Sequence, residues 1–329
     1  MTRLFTALLA IMLLAAAARA EEKISLGLDW VAEAEYGGYY QAAATGIYKK
    51  YGLDVTIRQG GPQVNHTQLL IAGRLDFNIT SNSFLALNFV KEKIPFRTVA
   101  AFYQKDASVL IAHPGQGHDS FAALKGKPIM ISSDTRAGWW NFLRVKFGYT
   151  DAQIRPYTFN LAPFLADKGA IQQGILGSEP FSLRQATGQD PVVLLVADAG
   201  FAGYAGLIGT SDKSISTRAD LVRRFIDASA EGWYSYLYGD PAAGNAAIRA
   251  ANPEMKQELI DFGRAAMLRY GIVDSGDSLT NGIGAMTAER WREFHRSMAQ
   301  AGLYPNDLDV GRAYTLQFVN RKVGMELKK

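Results

Sequence analysis

Two series of alternating strand-like and helix-like segments constrain the fold of this chain more than any other feature. The first series occupies residues 24–104 and the second residues 125–198. In both, short runs rich in β-branched and aromatic residues alternate with longer segments of helical periodicity. This order is typical of an α/β domain with a mainly parallel sheet, since parallel strands need long, usually helical, connections. We therefore predict two α/β lobes, each a mainly parallel sheet flanked by helices.

Two segments are expected to carry the chain from one lobe to the other. Residues 108–120 and 200–211 each join apolar, strand-like residues to Gly or Pro, which favour turns. On this basis lobe 1 comprises residues 21–110 and 206–329, and lobe 2 comprises residues 111–205. The C-terminal part of lobe 1 is helical in pattern and is expected to cover the outer face of that lobe.

The first twenty residues resemble a cleavable export signal. Arg3 precedes an apolar run over residues 8–18, and Ala18-Arg19-Ala20 presents the small residues that a signal peptidase recognises. The run is too short to span a bilayer, which needs about 20 residues. We expect cleavage before Glu21 and a mature protein in the periplasm, with residues 1–20 as the signal peptide.

Composition argues against several classes of function. The chain has no Cys, which excludes disulfides, thiolate metal sites and a Cys nucleophile. Its four His residues form no metal-binding motif, so we expect neither a metal nor another cofactor. The net charge of +4 falls to +2 without Arg3 and Arg19, and the remaining basic residues are scattered. Nucleic acid is therefore not expected as a partner.

Candidate ligand-binding residues follow strands of the predicted lobes, where helix N-termini present free N–H groups. The candidates in lobe 1 are Trp30, Tyr39, Tyr40, Ser81 and Asn82. The aromatic residues could hold a flat ring between them by stacking. Ser81 and Asn82 belong to a run of four small polar residues, longer than an N-cap needs. Core packing would account equally well for each aromatic residue.

In lobe 2, Arg136 and two adjacent Trp residues begin a predicted helix. Arg136 could pair with an anionic group of the ligand or form a salt bridge with Asp134. Because adjacent helical residues point in different directions, one Trp is expected in the core and the other in the cleft. Trp139 is the candidate, although the sequence does not separate it from Trp140.

Glu179 is the most informative single candidate. It precedes Pro180, which suits the first turn of a helix, so Glu179 could act only as a cap. Inside the cleft, its carboxylate could accept two hydrogen bonds from an amino-heterocycle or pair with a cation. A buried carboxylate would repel an oxyanion. The position of Glu179 therefore distinguishes a heterocycle receptor from a sulfonate receptor.

The segment 28–57 is similar to the N-terminal pattern of binding proteins for the thiamine pyrimidine precursor, a group close to the nitrate, sulfonate and taurine receptors of ABC transporters. The matching residues are Leu28, Trp30, Gly38, Tyr40, Ala42, Gly46, Tyr48, Lys49, Gly52, Leu53, Asp54, Val55 and Ile57. Glu179-Pro180 stands where the pyrimidine receptors have the acid that holds the amino group of the ring. The resemblance implies a two-lobe periplasmic-binding-protein fold of type II.

The same resemblance implies a solute receptor that works by hinge closure. Its partners would be a small-molecule ligand and the ABC permease and ATPase at the inner membrane, and it would act as a monomer. The family's Pro-Asn is Ala32-Glu33 here, and its His falls at Tyr36. These departures predict an altered ligand. A planar, pyrimidine-like or other heteroaromatic solute is favoured, with a sulfonate, taurine or an aromatic carboxylate as alternatives.

An enzyme of the same fold is the remote alternative. Fungal thiamine pyrimidine synthase binds pyridoxal phosphate through a Lys, consumes its own His, and has a Cys-rich iron site. In this chain Thr80 and Phe84 occupy the positions of that Lys and His, and Cys is absent. The residues therefore predict a receptor rather than an enzyme.

Overall fold

Two five-stranded sheets organise the described part of the chain. The structure is a computed structural model that describes residues 21–61, 64 and 66–328. The predicted signal peptide, residues 1–20, lies outside these described residues. None of the helices described is long and apolar enough to cross a membrane.

The strands of both sheets are short. They are β1 (Glu22–Gly27), β2 (Leu53–Arg58), β3 (Phe77–Asn82), β4 (Phe96–Tyr103), β5 (Ser108–Ala112), β6 (Ile129–Ile131), β7 (Ile154–Pro156), β8 (Ile171–Ile175), β9 (Val192–Leu195) and β10 (Ala205–Ser211). The first sheet has the order β2-β1-β3-β10-β4 and the second has the order β7-β6-β8-β5-β9.

Helices connect the strands and form the C-terminal part of the chain. In chain order they are α1 (Gly37–Ala44), α2 (Ile47–Lys50), α3 (His66–Ile71), α4 (Ser83–Lys91), α5 (Ser133–Ala137), α6 (Trp140–Phe147), α7 (Ala162–Ala166), α8 (Glu179–Thr187), α9 (Asp212–Thr217), α10 (Ala219–Tyr238), α11 (Ala242–Ala251), α12 (Gln257–Tyr270), α13 (Ser278–Asn281) and α14 (Ala288–Gln300). The predicted α/β architecture with two lobes is confirmed.

Each sheet is mainly parallel, as predicted, with one antiparallel strand among its five. In the first sheet β1 pairs in parallel with β2 and β3, whereas β10 is antiparallel to β3 and β4. In the second sheet β6 pairs in parallel with β7 and β8, whereas β5 is antiparallel to β8 and β9. Both antiparallel strands are the first strands after the chain has crossed from the other lobe. Because β5 and β10 each enter their sheet from the side of the other lobe, they run opposite to the neighbouring strands.

The chain crosses between the sheets at residues 104–107 and 196–204. The segments 108–120 and 200–211, predicted as crossovers, instead begin with β5 and end with β10, respectively. Residues 108–110, which we assigned to lobe 1, pair within the second sheet. The apolar residues that we attributed to crossovers belong to β5 and β10. They are buried because these strands lie inside the two sheets.

Arg290 of α14 binds both crossings. Its Nε donates to the carbonyl of Ala202 at 2.8 Å, and its Nη1 donates to Gln104 Oε1 at 3.1 Å. The guanidinium also donates to the carbonyl of Gln104 and lies 4.0 Å from the ring centroid of Tyr204. Asp277 Oδ2 lies 3.7 Å from Nη1. A helix from the C-terminal part of the chain therefore fixes the hinge from one side.

Helix α1 begins against the long helix α10 at very short range. A Cβ atom at Gly38 would lie 2.2 Å from the Trp233 ring, so this position accepts only glycine without movement of the helices. The Tyr39 ring packs beside it, with its centroid 5.4 Å from that of Phe102 and 5.6 Å from that of Trp233. This packing positions the preceding loop, residues 28–36, at the edge of the sheet.

Candidate functional site: a cleft between the two lobes

Aromatic rings from both lobes meet at the candidate cleft. Trp30 follows β1, and Phe159 follows β7 in the other sheet. Their ring centroids are 4.8 Å apart, with an interplanar angle of 42°. The Phe159 ring is also 5.1 Å from that of Tyr157. Trp30 is partly exposed and Phe159 is 41 % exposed, so both rings remain accessible although they touch.

Phe159 has an unusual backbone conformation for an aromatic residue. Its φ angle is 58°, in the left-handed region that non-glycine residues seldom adopt. Such conformations persist where the surrounding structure imposes them, and they occur preferentially at functional sites. Here the conformation presents an exposed ring to Trp30 of the other lobe.

Glu179 lies beside these rings and is held by its own lobe. Its Oε2 accepts a hydrogen bond from the Ile175 N–H at 2.7 Å, and its Oε1 accepts one from the Tyr157 hydroxyl at 3.3 Å. The side chain is partly exposed. Burial nevertheless raises the pKa of Glu179, while the hydrogen bond from Ile175 opposes this effect. The negative charge of Glu179 contributes to the raised pKa of both Glu33 and Glu35 of lobe 1.

Asp29 is the corresponding acid at the end of β1. Its Oδ1 accepts a hydrogen bond from the Tyr36 hydroxyl at 2.7 Å, and its Oδ2 accepts one from Ser81 Oγ at 2.9 Å. Burial raises the pKa of Asp29, and these two hydrogen bonds oppose that shift. Asp29 therefore orders two residues of the cleft, the exposed Ser81 and the buried Tyr36.

Two further acids of lobe 1 have no such partners. The Glu33 and Glu35 residues are 9 % and 8 % exposed. Oε1 of Glu35 is buried without a hydrogen bond, and no described residue donates one to the Glu33 carboxylate. Burial, opposed by a hydrogen bond from its own backbone N–H and reinforced by the charge of Glu179, raises the pKa of Glu35 to about 7. Burial, reinforced first by the charge of Glu35, holds the pKa of Glu33 well above its usual value.

Glu35 reaches the second lobe. A Cβ atom at Gly177 would lie 2.2 Å from Glu35 Oε1 and 3.1 Å from the Cα of Gly263 in α12. Gly177 follows β8 and precedes Glu179 by two residues, so Glu35 touches the same loop that positions Glu179. The next residue back, Leu176, donates its N–H to the carbonyl of Ala107 in the first crossing at 2.9 Å. Glu35 consequently lies at the base of the cleft, close to the hinge.

The polar run at the end of β3 is divided between two roles. Asn82 Oδ1 caps α4 by accepting a hydrogen bond from the Phe84 N–H at 3.1 Å. Its Nδ2 would be 3.6 Å from a Cβ atom at Gly138 of lobe 2. Ser81 is exposed and points to Asp29. Of the two residues predicted from this run, Asn82 lies where the lobes approach each other, and Ser81 binds an acid of its own lobe.

The other predicted site residues are not brought to Glu179. Tyr39 is 1 % exposed in the core, and Tyr40 is buried with a hydroxyl group that lacks a partner. Arg136 binds Asp151 at 2.7 Å rather than Asp134, and its side chain is 60 % exposed.

Both Trp residues of lobe 2 are buried. Trp140 donates its Nε1–H to Asp151 Oδ1 at 3.1 Å and packs against Tyr149, which makes it the core member of the pair. Trp139 is 4 % exposed, and no contact joins it to Trp30 or Glu179 in the described chain. Its assignment to the ligand site remains a prediction.

Several residues at the cleft were not predicted from the sequence. Tyr157 and Phe159 lie in a segment that we interpreted only as a strand, yet its final residues form the loop at the cleft. Glu33 and Glu35 alternate with Ala residues in the sequence. This pattern of two acids in an apolar stretch could have indicated functional residues.

The acids are not arranged as a metal centre. Within residues 21–61, 64 and 66–328, no group of three His, Cys, Asp or Glu residues is placed to hold a metal ion. Nor does any Lys or Arg among these residues form a salt bridge with Asp29, Glu33, Glu35 or Glu179. The cleft thus carries negative groups without a basic residue paired to them.

Comparison with known proteins supports the predicted fold and family. The chain is 24 % identical over 307 residues to the riboflavin-binding protein RibY of Chloroflexus aurantiacus, covering 91 % of this chain and 86 % of the relative. Its fold is similar to that of the periplasmic aliphatic sulphonate binding protein SsuA of Escherichia coli, with a TM-score of 0.67, 12 % identity, and coverage of 89 % and 92 % of the two chains.

One enzyme shares the same fold. The desulfurization enzyme DSZB has a TM-score of 0.55 and 13 % identity, with coverage of 92 % of this chain and 99 % of its own. The two-lobe periplasmic-binding-protein fold is confirmed by these likenesses, which at such low identity concern fold alone. The model of the family described as NMT1/THI5 like matches residues 33–243. The chain therefore belongs to the NMT1/THI5-like family.

Proposed function

We propose that this protein is the substrate-binding component of an ABC importer and captures a small planar heteroaromatic solute between its lobes. The observation that carries the proposal is the pairing of Trp30 with Phe159 across the cleft, 4.8 Å apart, beside the carboxylate of Glu179. Separation of the two rings would admit a flat ring between them, with stacking on both faces. The carboxylate would accept hydrogen bonds from N–H groups on the edge of that ring.

The charges of the cleft argue against an oxyanion as the ligand. Burial raises the pKa of Glu33, Glu35 and Glu179, and the charge of Glu179 raises the pKa of Glu33 and Glu35 further; a sulfonate would add to this repulsion. Arg136, the residue that we expected to pair with an anion, already binds Asp151 at the surface. The relative RibY is named as a binding protein for riboflavin, a flat heterocycle, which agrees with the aromatic walls of this cleft.

Ligand capture would proceed by hinge closure. A solute bound to the Trp30 wall recruits the Phe159 wall through movement at residues 104–107 and 196–204. Its differential affinity for the two arrangements shifts the population towards the closed form. The closed form docks on the permease, whose ATPase drives import from the periplasm. Binding, not turnover, is the proposed role, and the chain has no Cys nucleophile for the alternative.

A thermal-shift assay with a matched panel tests this function. Flavins, aminopyrimidines and purines are compared with taurine and alkanesulfonates. A planar heterocycle at 100 times its Kd should stabilise the protein by about 2.7 kcal/mol. Preferential stabilisation by a sulfonate, or chemical conversion of any compound, contradicts the proposal.

The variant Trp30→Ala should weaken binding of that heterocycle about thirtyfold, because a buried aromatic anchor contributes about 2 kcal/mol. Tyr270→Ala removes a partly exposed aromatic residue from α12 and provides the matched control. It should leave affinity unchanged within about twofold. Equal losses in the two variants would show that Trp30 acts through overall stability.

A further inference from the structure

We propose that the solute is a planar heteroaromatic cation, whose charge is balanced by Glu33 and Glu35 of lobe 1 and by Glu179 of lobe 2. The inference rests on the proposed function and specifies its substrate class. A neutral amino-heterocycle would use one carboxylate, as Glu179 alone could provide. A neutral ligand would leave the burial of Glu33 and Glu35 on the facing lobe unexplained.

The first step is the lack of side-chain hydrogen bonds at the two acids of lobe 1. Glu33 and Glu35 are more than nine-tenths buried, and Glu35 Oε1 is buried without a hydrogen bond. Buried carboxylates are ordinarily paired or hydrogen-bonded, because loss of hydration is otherwise uncompensated. Asp29 shows the ordinary arrangement a few residues away, with Tyr36 and Ser81 as donors. The two glutamates have the burial without the donors.

The second step is the lack of a counter-charge to these acids in the described part of the chain. The groups whose charges act on Glu33 are Glu35, Glu179 and Asp29, all of them acids. His66 acts on Asp29, and its Nδ1 is engaged 2.7 Å from the carbonyl of Leu28. The positive charge that this cluster lacks must come from a ligand or be replaced by protons.

A nearby cation of α12 is already engaged elsewhere. Arg264 donates to the backbone carbonyls of Tyr236 and Leu237 at 2.7 and 2.6 Å. It lies one residue after Gly263, which contacts the Gly177 loop, yet its guanidinium is held against α10. Its hydrogen bonds are thus to carbonyl groups of α10, and among the described residues it forms no salt bridge with these acids.

The third step is the shape of the charged site. The acids come from both lobes, and Glu35 Oε1 lies against Gly177, two residues before Glu179. They do not form a set that could hold one metal ion, so an extended organic cation fits the spread of charge better. The rings of Trp30 and Phe159 favour the same class, since aromatic faces attract cations as well as flat rings. Charge and stacking would therefore act on one ligand from both lobes.

Isothermal titration calorimetry with charge-matched probes tests the inference. The cations 1-methylnicotinamide and 1-methylquinolinium are compared with their neutral counterparts, nicotinamide and 1-methylnaphthalene, and with naphthalene-1-sulfonate as the anion. At pH 8, at least one cation should bind at least tenfold more tightly than its neutral counterpart. Absence of this preference in both pairs overturns the inference.

Variants identify the residues responsible. Glu33→Gln and Glu35→Gln should each weaken binding of the preferred cation about tenfold and leave the neutral counterpart within twofold. Glu289→Gln, at an exposed acid of α14, is the matched control and should change neither affinity. Equal loss for cation and neutral probe in the two cleft variants would indicate a structural role and overturn the assignment.

The outcomes separate the two proposals. If neutral and cationic heterocycles bind equally and the sulfonate does not, the cationic class is wrong and the heterocycle receptor stands. If naphthalene-1-sulfonate binds most tightly, both proposals fail. Lowering the pH from 8 to 5 should weaken cation binding, because protonation of Glu35, whose pKa lies at about 7, removes negative charge. Cation affinity that is unchanged over this range also contradicts the inference.

Discussion

The hinge and the cleft differ in how far their buried polar groups are hydrogen-bonded. At the hinge, Arg290 donates to backbone or side-chain oxygens of Gln104 and Ala202 and covers the ring of Tyr204. In the cleft, Glu33 and Glu35 are more deeply buried, no side chain among the described residues donates to them, and Glu35 Oε1 accepts no hydrogen bond. Unsatisfied buried polar groups are rare in native proteins and call for an explanation. The proposed binding of a solute between the lobes would account for this contrast.

Removal of the hinge arginine should give the largest effect on stability. Arg290→Met keeps much of the apolar stem but leaves the carbonyls of Gln104 and Ala202 without their donor. Loss of one partner from a partly buried charged network should lower the free energy of unfolding by about 2–4 kcal/mol. Urea unfolding monitored by circular dichroism measures the change.

Arg292→Met is the control for this variant, because Arg292 forms an exposed pair with Glu289 on the same helix. Exposed pairs contribute about 0–1 kcal/mol, so its stability should change little. A similar loss of unfolding free energy in both variants would mean that the hinge network stabilises the protein no more than an exposed ion pair does.

An added methyl group at the base of the cleft should affect binding more than folding. In Gly177→Ala the new Cβ would meet Glu35 Oε1 and the backbone of Gly263. This overpacking should cost the closed arrangement about 1–3 kcal/mol and weaken solute binding about tenfold. Gly169→Ala is the control in the same lobe, since the added methyl group there meets only Asp167 Oδ1, at 3.4 Å. Wild-type affinity in Gly177→Ala would show that the lobes need not approach at this point.

The unpartnered acids should make the solute-free protein less stable as the pH rises. The pKa of Glu35 is about 7 in the folded chain, above its ordinary value of 4.5, so the folded state binds more protons between these values. Stability should therefore decrease from about pH 4.5 to pH 7, and Glu35→Gln should recover about 1–3 kcal/mol at pH 8. The variant should have a higher Tm than the wild type at pH 8 and a smaller difference at pH 5. Equal Tm values at pH 8 would show that the buried charge is tolerated.

The smallest effect is expected at the surface of lobe 2. Arg136 is 60 % exposed and bound to Asp151, so Arg136→Ala should change stability by less than about 1 kcal/mol. Solute affinity should stay within about twofold of the wild type. A large loss of affinity would show that Arg136 takes part in ligand binding and would favour an anionic ligand.

The fold could be predicted from local patterns, but the partners of individual side chains could not. The alternation of strands and helices identified both lobes, while β5 and β10 were mistaken for crossovers because burial alone does not reveal strand direction. Glu179 was recognised from its place before a helix. Phe159 was missed, because its contact with Trp30 joins segments that are remote in sequence and depends on how the lobes meet. Arg136 was paired with the nearby Asp134, whereas the fold brings Asp151 to it.

Native mass spectrometry of the protein purified without denaturation tests the central claim most directly. The account predicts one bound planar heteroaromatic molecule per chain, released unchanged on unfolding and lost in Trp30→Ala. A sulfonate or another non-aromatic anion in that position, or a chemically altered product, would contradict the account.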